Sequence, residues 1–419
     1  MTNLYTPLRS CFFAVISLLL FTGCMKDKLT KTYSIYTPVY KTKQEVLASV
    51  KNAAPTTITS PGKIYIAGKY IFLNELNKGI HIIDNSNPAS PKITAFINIP
   101  GNVDIAVKGD ILYADMYADL LTINIKDPTN TRLVKSMQKI FPERNYGLGF
   151  SPDSSKIIVD WIKKDTTVEV RNESVVPCNN CLYQSSYNSM ISNDSKASSG
   201  GTGGSMARFT IVGDYLYTVG NADLSTLSIA NSSDPLLIGK TQIGMSIETI
   251  YPFKGKLFIG SATGMFIYNT NDPSKPAKES NFTHARACDP VIADDNYAYV
   301  TLRTGTSCAG SSNLLDVIDI SNITSPRLVK SYMLTNPHGL SKDGNLLFIC
   351  DGSDGLKLYD AADVNNLKLL DHVKGIDTYD VIAWNNTLIV VSKTGLHQYD
   401  YTDKKTMRLL STLQINRKF

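Results

Sequence analysis

Tryptophan is nearly absent: 2 residues, against 22 tyrosines and 14 phenylalanines, in a chain of 419. Most aromatic bulk therefore carries a polar tip or none, which suits half-buried sheet more than a dense indole core. No concentrated block of Lys or Arg occurs and the formal net charge is only +5, which excludes nucleic acid as an expected partner. After the first two dozen residues no apolar run is long enough to cross a bilayer as a helix. No HExxH, GxSxG, Walker or Rossmann glycine pattern stands in a fitting context. Neither a metal nor a cofactor is expected, and no residue is assigned as catalytic.

What the N-terminus does contain is a targeting signal. Arg9 precedes the apolar run "CFFAVISLLLF", which is about half the length of a membrane span, so residues 1–23 read as a signal peptide. The ending "LFTGC" resembles a bacterial lipobox and implies lipidation of Cys24; Phe21 stands where Leu is usual. The alternative is an ordinary secretory signal with an incidental cysteine. With lipid on Cys24 the chain is anchored to a membrane and otherwise soluble. Met25, where Asp would favour inner-membrane retention, points to an outer-membrane lipoprotein of the cell envelope, facing the periplasm or the medium. Residues 24–61 read as a tether with one short helix. Thr42 and Glu45 form a capping-box pattern, Val46, Leu47 and Val50 share a face, and Pro55 and Pro61 end the segment.

The body of the chain repeats one phrase. It reads "GIHIIDNSNPASP" from Gly79 and "DLLTINIKDPTNT" from Asp119. It returns from Asp223, Gly264, Asn313 ("NLLDVIDISNITSP"), Gly355 and Gly395. Successive starts differ by 40, 104, 41, 49, 42 and 40 residues. Each period holds four short strands joined by polar turns, so the predicted fold is all-β: a β-propeller of four-stranded blades over residues 62–419. Inner strands such as "IHII" and "LLFI" are apolar on both faces, as blades that stack on each other require. The Asp or Asn that closes the third strand suits an Asx turn. The interval of 104 is filled by residues 146–174, read as a divergent third blade, and by a polar insert at about 177–205. The count is then eight blade-like units, with seven blades as the alternative. So long an insert is unusual in a compact domain and reads as functional or disordered.

The phrases "GIHIIDNSNPASP" and "LLDVIDISNITSP" resemble the LVIVD-repeat proteins, with units one, two, five and six the closest copies. The leader "YTPVYKTKQEVLASV" and the stretch "IPGNVDIAVKGDILYADMYADLLTINI" are similar to lipoprotein members of the Bacteroidetes type. The resemblance implies a propeller displayed at the cell envelope. It implies no activity.

In a propeller, the first strand of each blade lines the central channel. Aligning the units places Asp104, Tyr146, Arg208, Thr249, Asp289, His338 and Asp380 at the channel mouth. The loop residues Asp115 and Tyr117 are placed on the same face. Such a ring can bind a cation, a sugar or a small anion, or it can be a solvated mouth with internal ion pairs. The expected partner is an envelope protein or glycan, held by a binding or scaffold module. The competing reading is a carboxylate-dependent glycan hydrolase or lyase that uses Asp104 and Asp380 with His338. "DGSDG" (351–355) reads as a tight turn, since it lacks the ligand spacing of a Ca²⁺ loop. In an oxidising envelope Cys178 and Cys181 can close a small disulfide, and Cys288 and Cys308 are placed to pair. Cys350 reads as a buried thiol.

Overall fold

The computed structural model describes residues 30–142, 156–169, 182–183, 202–283, 290–304 and 312–415. These divide into two units, one drawn from residues 1–40 and 160–188, the other from 41–159 and 189–419. The smaller unit is a three-stranded sheet in which Thr30–Thr42 lies between Lys156–Glu169 and Leu182–Tyr183. Ile35 faces Tyr183 and Tyr36 faces Leu182 in an antiparallel pair. The Ser34 hydroxyl donates to Asp165 at 2.5 Å.

The larger unit contains seven four-stranded antiparallel blades, at residues 61–98, 105–137, 209–242, 247–283, 291–333, 340–373 and 378–414. The eight-unit count is therefore corrected to the seven-bladed alternative. The segment read as a third blade contributes Lys156–Glu169 to the separate three-stranded sheet instead. The tether reading of residues 24–61 also changes in detail, because part of it is sheet. Its helix is present at Lys43–Ala48 with the predicted capping box: the Thr42 hydroxyl accepts the Glu45 N–H and Glu45 accepts the Thr42 N–H. Val46 is buried against the blades. Lys51–Ala53 then pairs with Lys92–Asn98, adding an outer strand to blade 1.

The repeat owes its identity to its turns. In all seven blades an Asx turn follows the third strand by three residues. Asn87, Asp127, Asn231, Asp272, Asn322, Asp363 and Asp403 each accept the backbone N–H two residues on. Six blades place a second such acceptor at the strand's end: Asp84, Asn124, Asn269, Asp319, Asp360 and Asp400. Two short polar side chains thus reverse the chain without using the ladder. The fourth strand carries a bulge in every blade. It opens with Lys92, Arg132, Arg327, Lys368 or Arg408 in five of them. Bulges and edge cations protect outer strands against pairing with another chain.

Among the described residues the four strands of each blade come from one stretch of sequence, and no strand is exchanged between blades 7 and 1. Closure rests on packing between blade 7 and blade 1. Ile382, Ile389, Val391 and Leu396 bury against Ile64, Ile66, Ile71, Leu73, Ile83 and the preceding Ile58. A reciprocal amide pair adds direction to this greasy contact. Asn85 Nδ2 donates to Gln398 Oε1 at 2.9 Å, and Gln398 Nε2 donates to Asn85 Oδ1 at 2.7 Å. Gln398 is fully buried.

Truncation of Ile389 to Ala should cost about 2–5 kcal/mol, as a cavity in a core does. Gln398→Ala should cost about 1–3 kcal/mol by stranding the Asn85 amide. Asn231→Ala, at an exposed Asx turn, should cost no more than about 1 kcal/mol. Urea unfolding of the three variants checks the order; an equal loss at Asn231 would mean that closure is not where stability is concentrated.

Candidate functional site

Strand register locates the channel mouth. Ile64, Ile105, Phe209, Ile250, Val291, Leu340 and Val381 hold the same place in the seven first strands. The residues just before them are Lys63, Asp104, Arg208, Thr249, Pro290, Gly339 and Asp380. Four predicted members of the ring are therefore in place: Asp104, Arg208, Thr249 and Asp380. His338 sits one position early, and Asp289 precedes the ring residue Pro290. Asp289 and Tyr146 lie outside the described residues, as do Cys24, Cys178, Cys181, Cys288 and Cys308. Lys63 was missed, although "GKIYIAGKY" shows the same apolar triplet after it as the other first strands do.

Going around the ring through blades 7, 1, 2 and 3, the charges alternate: Asp380, Lys63, Asp104, Arg208. Lys63 Nζ lies 2.6 Å from Asp104, and both side chains are almost fully buried. The same Asp104 carboxylate accepts the Arg208 backbone N–H at 3.3 Å. The Arg208 guanidinium donates to the backbone carbonyls of Glu248 and Ile247. Asp115 is buried and accepts the backbone N–H groups of Val103 and Asp104 and the Asn102 amide, at 2.7–2.8 Å. Asp380 accepts the Val381 N–H and stands so close to Gly339 that a Cβ there would fall 2.1 Å from its carboxylate. Tyr117 adopts a left-handed backbone, φ 52°, with its ring against Gly101. These carboxylates shape the mouth: they bind backbone amides and neighbouring cations from adjacent blades.

His338 is buried beside Arg303, whose guanidinium lies 2.8 Å from Nδ1, and edge-on to Tyr379. Burial, reinforced by the positive Arg303, lowers its pKa from 6.5 to about 3. The imidazole is thus neutral at physiological pH and a poor proton donor there.

The axis itself is occupied by the chain. Thr202 and Gly203 pair with Ile66 and Tyr65 on the inner edge of blade 1. Three residues later Ser205 accepts the Leu340 N–H of blade 6 at 2.8 Å. Ser205, Met206 and Ala207 are buried. The end of the polar insert therefore crosses the channel as a thin Gly/Ser strand before entering blade 3. Glycines suit this passage because backbones can approach closely there.

The loops joining second to third strands share the mouth's face and hold polar pairs that sequence reading left apart. At one place in the third strand stand His81, Lys357 and His397. Their partners close the second strand: Glu75 at 3.1 Å, Asp351 at 2.5 Å and Ser392 at 2.8 Å. The repeat alignment was the signal that could have paired them. "DGSDG" is the tight turn expected, with the Asp354 and Gly355 N–H groups bonding back to Asp351 and Gly352. On this same face, at blade 1, a recess of about 410 Å³ opens beside Glu75 and Lys78. Among the described residues no group of three His, Cys, Asp or Glu is placed to hold a metal ion.

The LVIVD repeat matches residues 61–97, 203–242 and 285–334. The matched copies are blade 1, and blades 3 and 5 with their lead-ins; in the sequence count these are units one, four and six, of which one and six were among the closest expected. No curated protein matches the chain in sequence. Among solved structures the chain is similar to the periplasmic gluconolactonase PpgL of Pseudomonas aeruginosa, with TM-score 0.54 and 10% identity over 92% of this chain and 97% of that one. It is also similar to a Lactobacillus plantarum protein, with TM-score 0.52 and 11% identity over 85% and 97%. A third is Saccharomyces cerevisiae Sqt1, with TM-score 0.51 and 11% identity over 86% and 87%. Likeness at this identity is likeness of fold.

The buried His338 makes a pH prediction with a defined sign. Between pH 6.5 and about 3 the unfolded chain takes up a proton there that the folded chain refuses. Stability should fall as pH is lowered through that window, by up to about 1.4 kcal/mol per pH unit from this group, and this contribution should be constant above it. His338→Gln should flatten the fall between about pH 6 and pH 5 in urea titrations. A variant as acid-sensitive as the parent would show that the imidazole is not kept neutral.

Proposed function

We propose that the protein is a binding or scaffold module of the bacterial cell envelope, anchored through lipid on Cys24 and recognising a protein or glycan with the loop face that surrounds the channel mouth. The outer membrane is the compartment this reading prefers, on the strength of the lipobox resemblance and Met25, and the Bacteroidetes type rests on the resemblance of the leader and of residues 99–125. The observation that carries the binding role is the state of the axis. A Gly/Ser segment pairs with the inner edge of blade 1 and bonds to blade 6, Asp104 is paired with Lys63, and Asp115 Oδ1 accepts from Val103 N–H, Asp104 N–H and the Asn102 amide. Charges spent on holding blades together are not free to turn over a substrate. The same face still presents loops and a surface recess to solvent. The hydrolase reading needs a carboxylate poised to give or take a proton and an imidazole that titrates near neutrality. His338 does not titrate there.

Site-specific photo-cross-linking in envelope-bearing cells tests the orientation. Probes at Thr263 and Lys393, exposed on the loop face, should yield a discrete adduct. Probes at Asp214 and Asn296, exposed on the opposite face, should not. Cys24→Ala should move the protein from the detergent-extracted membrane fraction to the soluble one. Adducts on both faces alike, or on neither, would contradict the proposal.

A further inference from the structure

The recess at blade 1 is walled by residues 56–59, which lead into the first strand, by the 75–78 turn, by Phe96 and Asn98 at the end of the fourth strand, and by Pro100 beyond it. Its size falls in the range of small-molecule sites, roughly 300–1,000 Å³. Glu75 forms its base and is almost fully buried. The carboxylate accepts the backbone N–H groups of Thr59 and Ser60 at 3.0 and 2.8 Å, the Thr59 hydroxyl, and lies 3.1 Å from His81 Nε2. Burial raises its pKa, but the contacts from His81, Thr59 and Ser60 prevail and bring it to about 2. Lys78 Nζ rests 3.4 Å from the same carboxylate and donates to the Thr59 hydroxyl at 2.9 Å. The two charges in the wall therefore cancel, and the lone pairs of Glu75 are committed to fixing the 56–60 segment in place.

The lining residues other than Glu75 and Lys78 are neutral, and Thr56, Thr57, Asn77 and Asn98 among them carry groups of both hydrogen-bonding kinds; Asn98 Nδ2 donates to the Ser49 carbonyl at 2.7 Å. Phe96, almost fully buried and tilted against the His81 ring at 4.9 Å, gives the recess a narrow apolar patch beside Pro100. The turn is rigid. Asn77 holds φ 59°, its N–H donates to the Asn102 carbonyl, and its carbonyl accepts the Gly101 N–H, both at 2.9 Å. A peptide cannot enter by adding a strand, because Lys51–Ala53 already pairs with residues 96–98 along that edge.

We propose that this recess binds a neutral carbohydrate unit, with hydroxyl and amide groups contacting the sugar hydroxyls and the apolar patch at Phe96 and Pro100 touching C–H groups of the ring. Mixed donors and acceptors select a polyol, and the cancelled charge selects against uronic acids and amino sugars. The inference rests on the binding-module reading and assigns that module a ligand class and a place.

Titration of the full chain with methyl glucoside, methyl galactoside, methyl mannoside and methyl N-acetylglucosaminide, followed by saturation-transfer NMR and calorimetry, tests it. At least one should bind saturably, and glucuronate and glucosamine should bind more weakly. Asn77→Gly keeps the left-handed backbone and Thr57→Val keeps the shape; each should weaken binding about tenfold, the value of one good hydrogen bond. Asn296→Ala, exposed on the opposite face, should change nothing, and the melting temperatures of all variants should match the parent. Saturable binding that survives the Asn77→Gly, Thr57→Val double variant, binding of no neutral glycoside, or preference for glucuronate would each overturn the proposal. If sugars fail while loop-face cross-links persist, only the ligand assignment falls; if both fail, the binding module falls with it.

Discussion

Strands that are apolar on both sides cannot keep water off either side by themselves. In this chain the second and third strands of every blade are buried almost throughout, and only the neighbouring blade can cover them. That requirement explains why the period recurs until the circle shuts. It also explains why the join between blade 7 and blade 1 matters more than any other. Ten aliphatic side chains meet there across most of the sequence, with one buried amide pair to set their register. Burying a single Ile or Leu is worth about 1.5–3 kcal/mol, so packing supplies most of the closure and the amides supply direction. Among the described residues no exchanged strand helps, so the packing and the few hydrogen bonds across the join carry that duty.

The axis obeys the same logic with polar groups. First strands converge, their leading residues crowd together, and the alternation of Asp380, Lys63, Asp104 and Arg208 lets that crowding happen without like charges meeting. The threaded Thr202–Gly203 pair and Ser205 then satisfy inward-facing backbone groups on blades 1 and 6 that would otherwise be orphaned in a narrow space. A mouth built this way is structural first. Surface chemistry is displaced outward to the loops and to the blade 1 recess.

Much of this was legible in the sequence because it is local. The forty-residue period, the strand-ending Asp or Asn with its turn, and the Thr42–Glu45 capping box each follow from residues a few positions apart. The blade count was not local. Residues 156–169 carry good strand composition, but their partner is Thr30–Thr42, more than a hundred residues earlier, and nothing in a period of forty announces that pairing. The crossing of the channel was hidden for the same reason: "GGTGGS" reads as a loop until Leu340 is seen donating to Ser205, 135 residues away. Of the seven residues aligned to the mouth, Asp104, Arg208, Thr249 and Asp380 precede their first strands in register, while Tyr146 and Asp289 lie outside the described residues. His338 replaced Gly339, and Lys63 was passed over, because a register set by hydrogen bonds is finer than an alignment of apolar runs.

The central claim is that the seven blades are one cooperative body whose stability is set by closure. Native-state hydrogen exchange in rising urea reads this directly, through the amides of the second strands of all seven blades. A closed circle predicts a single opening free energy shared by Phe72, Tyr113, Tyr217, Phe258, Tyr299, Phe348 and Ile389. A graded series, with blades 1 and 7 opening first and blade 4 last, would mean that the blades form an open stack and that the join between the ends is not what holds the molecule together.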